Sequence, residues 1–154
     1  MRLGIRSDGG RLWVGVAGAF FALLWPLGNS TANAAREIHG LATAHLSLQK
    51  AEGSTLIETG AVSGAIDGSV RARLQTRSRR FWAEYTISTR AGSITGTGTA
   101  TPSGSGRYQS FHGSFRVTSG TRLYAHVRGE ARLYGVFDRQ RDSVVVQTVG
   151  SLAY

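Results

Sequence analysis

Ser93-Ile94-Thr95-Gly96-Thr97-Gly98-Thr99-Ala100 changes side-chain character at every step, and the fold follows from that alternation. Ile94, Gly96, Gly98 and Ala100 share one face, and Thr95, Thr97 and Thr99 share the other. A period of two is that of a β-strand, whereas a helix would group residues three and four apart. The face opposite the threonines is almost bare of side chains, which suits a closely curved sheet or the crowded inside of a barrel.

The same period continues on both sides of this stretch. Toward the N-terminus, Phe81, Ala83, Tyr85 and Ile87 alternate with Trp82, Glu84, Thr86 and Ser88. Before them, Val70, Ala72 and Leu74 alternate with Arg71, Arg73 and Gln75, and Ala42, Ala44, Leu46 and Leu48 alternate with Thr43, His45, Ser47 and Gln49. Thr55 to Ser63 is irregular, and Gly60 and Gly64 predict a bend or bulge there. Toward the C-terminus, Phe111, Gly113, Phe115 and Val117 align, as do Ala131, Leu133, Gly135 and Phe137. Ser143 to Tyr154 closes the chain, and its first half, VVVQTV, is apolar enough for a central strand.

Short turns separate these runs at Glu52-Gly53-Ser54, Arg77-Ser78-Arg79-Arg80, Arg90-Ala91-Gly92 and Asp138 to Asp142. Thr101 to Arg107 (TPSGSGR) reads as the most flexible loop, and Thr121 to Val127 has room for one helical turn. The expectation is an all-β fold: a single antiparallel up-and-down barrel of about eight strands, with a two-layer sandwich as the alternative. A barrel also removes the sheet edges that a chain without cysteine has no disulfide to protect.

Ahead of the alternation, Arg2, Arg6 and Arg11 lead into an apolar run from Leu12 to Leu27 and a polar stretch, Asn29-Ser30-Thr31. Ala32-Asn33-Ala34 then places small residues where a signal peptidase inspects them, so residues 1–34 read as a signal peptide and 35–154 as the barrel domain. An uncleaved anchor is the alternative, but the run is short for a span and contains Pro26 near its end. The expected protein is secreted, extracellular or periplasmic, with no stable membrane insertion after cleavage. Cleavage leaves fifteen Arg or Lys against eight Asp or Glu, and fourteen of the fifteen are arginine. That surface favours acidic polymers or headgroups, and export argues against nucleic acid as the partner.

Gly113 to Gly135 (GSFRVTSGTRLYAHVRGEARLYG) resembles a segment of allene oxide cyclase-like and dirigent-like barrels. In those families a strand ends in a Gly-Gly-Thr-Gly turn, followed by an aromatic-Ala step and a small-residue-Gly restart. Thr118-Ser119-Gly120-Thr121, Tyr124-Ala125 and Arg128-Gly129 stand at those places, while Ser119 and Arg122 replace preferred glycines. The resemblance implies a barrel with a glycine at positive φ in the turn and the tyrosine plugging one end. It carries no catalytic residue over, because the families differ in chemistry.

Hydrolase, phosphate-loop and metalloprotease motifs are absent from the sequence, and the four histidines show no ligand spacing, so no cofactor and no metal are implied. Glu58, Asp67, Glu84 and Glu130 fall mostly opposite the apolar positions, as solvated charge. Tyr85, Phe111, Phe115, Tyr124 and Phe137 lie on the apolar face, where they either fill the core or line a cavity for a small hydrophobic ligand. Two functional classes follow: a binding module for such a ligand or an acidic surface, and a cyclase- or isomerase-type enzyme. The enzyme would need an ionisable group facing the cavity, with Glu58, Arg73 and Glu84 as the candidates.

Overall fold

The computed structural model describes residues 36–77 and 79–154. The export-signal reading of residues 1–34 lies outside them. Eight strands follow one another: β1 Glu37–Glu52, β2 Thr55–Gly64, β3 Gly68–Arg77, β4 Arg80–Thr89, β5 Gly92–Ser103, β6 Tyr108–Gly120, β7 Arg128–Asp138 and β8 Ser143–Ala153. Each pairs antiparallel with the next, and β8 returns to β1 along a ladder from Glu37–Ala153 to Ser47–Ser143. The sheet is therefore a closed up-and-down barrel, and no strand edge is left unpaired.

The period of two translates directly into burial. Along β5, Ile94, Gly96, Gly98 and Ala100 are all buried, and the intervening residues are half-buried. Thr86 and Thr95, paired across β4 and β5, bring their hydroxyls to 3.5 Å on the opposite face. Inward residues form two clusters. One, around Leu46, Val62, Val70, Phe111, Leu133 and Val144, occupies the body of the barrel. The other, around Ile66, Ile94, Val117, Tyr124, Val127 and Leu152, fills the end where the chain enters and leaves. That end is called lower here; the upper end carries the β1–β2, β3–β4, β5–β6 and β7–β8 turns.

Two local expectations are corrected. The bulge predicted around Gly60 and Gly64 does not lie in β2, whose register with β3 runs unbroken from Thr55–Gln75 to Val62–Gly68. It lies in β1, between Leu48 and Lys50, where Gln49 is the extra residue. Thr101 to Ser103 continues β5 instead of opening the loop, with Pro102 opposite Phe111. The VVVQTV run is a central strand, as expected, since β8 pairs with β7 and β1; Val144 and Val146 turn inward, and Val149 is 52% exposed on the outer face, opposite exposed Leu41.

The helical turn is present, as a 3-10 turn over Arg122–Tyr124. Positive φ falls on Arg122, at 54°, and not on Gly120. A side chain on Gly120 would instead strike the Tyr124 carbonyl and Val127, so this glycine is needed for space.

Candidate functional site

A hollow barrel needs its large inward side chains to sit beside small ones, or they would meet across the axis. Tyr85 stands between Ala72 on β3 and Gly96 on β5. Phe115 stands between Gly98 and Ala131, and Phe111 between Pro102 and Gly135. The rings lie down over these gaps: a Cβ on Gly96 would collide with the Tyr85 hydroxyl, and one on Gly135 with the Phe111 ring. Edge-to-face contacts lock the arrangement, with Tyr85 and Phe115 centroids 5.3 Å apart and Phe81 and Phe111 6.1 Å apart. The side chains therefore hug the wall, and the barrel encloses a cavity of about 800 Å³.

Four of the five residues that the sequence marks as ligand-lining, Tyr85, Phe111, Phe115 and Phe137, face this cavity. Tyr124 does not. It is buried at the lower end, 4.9 Å from the Tyr154 ring in an edge contact, and belongs to the cluster that fills that end. At the upper end the exposed Arg79 and Arg139 line the cavity with Thr76, Thr101 and Gln109. Arg139 donates to Gln109 at 2.9 Å. Beside it, Arg107 grips Asp138 through two hydrogen bonds of 3.1 and 3.0 Å, and that hydrogen-bonded pairing holds the Asp138 carboxyl below the usual range.

Of the three ionisable candidates, Arg73 and Glu84 pair with each other across β3 and β4 and are exposed on the outside. Asp67 and Glu130 are also exposed. Glu58 is the exception: it belongs to the cavity wall, is 0% exposed, and neither carboxyl oxygen has a hydrogen-bond partner. Desolvation, with a smaller push from the Asp142 carboxylate, raises its pKa to about 7. Burial likewise pushes the Tyr85 phenol up, so it stays protonated; it donates to the Arg116 carbonyl at 3.4 Å.

Glu58 shares its phase with Leu56, Gly60 and Val62, which was the available signal for its inward direction. Hydropathy argued the other way. Phe81 shares the inward phase of Tyr85, whereas turn geometry, which the alternation does not encode, brings Arg79 and Arg139 to the cavity. Compared with known proteins, the chain matches no family model, no curated protein and no solved structure.

Proposed function

We propose that the protein is an exported binding module that takes a small apolar or aromatic molecule into the barrel. The observation that carries this reading is the cavity of about 800 Å³, mostly apolar along its wall, with Arg79, Arg139 and Gln109 at its upper end. That size and that distribution of polarity are those of small-molecule sites. Export rests on the order of basic, apolar and small residues in 1–34. The likeness of Gly113 to Gly135 to allene oxide cyclase-like and dirigent-like barrels supports a ligand-holding role without naming the ligand.

The test is equilibrium titration with an uncharged naphthalene fluorophore at low and high salt. Saturable binding at one probe per barrel, indifferent to salt, is the expected result, because apolar transfer involves no ions. Binding that vanishes at high salt would point to the arginine surface instead, and absence of binding would refute the reading.

Glu58 favours a second reading. A carboxyl with a pKa near neutrality, in an apolar wall, is poised to give or take a proton, as a cyclase or isomerase requires. That reading demands turnover that disappears in Glu58→Gln while ligand binding persists.

A further inference from the structure

We propose that the barrel selects apolar molecules carrying a basic nitrogen, and that Glu58 on β2 is the counter-ion for that nitrogen. The proposal deepens the small-molecule reading above and rests on it. A buried carboxyl is ordinarily paired, since an unpaired one forfeits its water without compensation. Both oxygens of Glu58 lack a partner.

Its direct partners in the sheet bring no cation. The cross-strand neighbours of Glu58 are Leu48 on β1 and Ala72 on β3, which have no polar side-chain atoms. Lys50, Arg71 and Arg73 on the same two strands are exposed, and Lys50 is already paired with Glu52. The charge acting on Glu58 is Asp142, a second carboxylate. An acidic neighbour makes ionisation of Glu58 harder, the reverse of what a basic partner would do. A ligand ammonium supplies both the charge and the hydrogen-bond donors that are missing. The Tyr85 and Phe115 rings in the same cavity add aromatic faces, which attract cations.

Arg79 and Arg139 at the upper end have the opposite preference. They are exposed, however, so water and salt screen them, whereas the buried carboxyl is screened little. The interior group therefore sets selectivity. Glu58 has no accessible surface, so the pairing requires its carboxyl to turn toward the ligand, beside the small Ala72. An amine arrives protonated from water, and Glu58, where still neutral, releases its proton to solvent as the ion pair forms. Apart from that proton transfer to water, no bond forms or breaks.

The experiment is calorimetric titration of the protein with decylamine, decanol and decanoate, three heads on one chain length, repeated on Glu58→Gln. Near neutral pH, decylamine should bind at least about tenfold more tightly than decanol. In Glu58→Gln the amine should lose its advantage over decanol, with a far-ultraviolet circular dichroism spectrum like the native one as proof that the barrel is intact. Decanol or decanoate binding as tightly as decylamine to the native protein overturns the proposal and leaves the cavity reading standing, as does an amine preference that survives Glu58→Gln. If none of the three binds, both readings fall.

Discussion

Glu58 and Tyr85 flank Ala72 in one hydrogen-bonded row of the barrel, each the cross-strand partner of the same alanine. Two polar side chains thus enter an apolar interior on either side of a single methyl group. The tyrosine finds a carbonyl at 3.4 Å, and the glutamate finds nothing. The interior keeps a group that its own residues do not satisfy, and the chemistry proposed for the barrel turns on that group.

The first consequence is a dependence of stability on pH. Glu58 binds its proton more tightly folded than unfolded, so the folded state holds more protons between its ordinary value of 4.5 and about 7. Stability should therefore fall as pH rises through that window and level off above it. The loss is of order 3 kcal/mol for a shift of this size. Denaturant unfolding at both ends of the window should show the slope in the native protein and a flatter profile in Glu58→Gln. Equal slopes in the two would show that burial of Glu58 has no such cost.

Neighbouring glycines of β5 should respond differently to a methyl group. Gly96→Ala drives a Cβ into the Tyr85 hydroxyl and the Arg116 carbonyl, whereas Gly98→Ala meets nothing nearer than 3.5 Å. Thermal unfolding should show Gly96→Ala destabilised by about 1–3 kcal/mol, the usual cost of overpacking. Gly98→Ala should be within about 1 kcal/mol of the native protein, since alanine also loses less chain entropy on folding.

Arg122 holds a left-handed conformation, φ 54°, next to the residues that fill the lower end. Only glycine adopts that region freely. Arg122→Gly should stabilise the protein by about 1 kcal/mol, read as a rise in the denaturant midpoint with unchanged slope. A fall would mean that the arginine side chain contributes more than its backbone costs.

The strand plan was legible because burial follows side-chain character at nearly every step. Phe81 to Ser88 and Ser93 to Ala100 alternate cleanly, and their partners on β3 and β6 do the same. The bulge at Gln49 was not legible, since Leu48 and Lys50 on either side of it look like an ordinary continuation of the strand. Glu58 is the instructive case at the site. Its phase with Leu56 and Val62 pointed inward, but its charge argued for the outside, and tertiary closure decided in favour of phase. Hollowness was legible only in part. The bare face of β5 signalled close approach, but interior volume depends on strand number and stagger, which no single stretch encodes. Tyr124 has the apolar position of a lining residue, and it is the turn at Arg122 that carries it into the lower cluster instead.

Ala83 faces the cavity between Leu74 and Gly98, which has no side chain, so a large side chain there extends into the cavity. Titration of the uncharged naphthalene fluorophore into Ala83→Trp, beside the native protein, tests the ligand site most directly. The variant should melt within a few degrees of the native protein, roughly the shift expected for about 1 kcal/mol, and bind the probe at least about tenfold more weakly. A folded Ala83→Trp protein that binds the probe as tightly as before would place the ligand outside the barrel and contradict a ligand site within it.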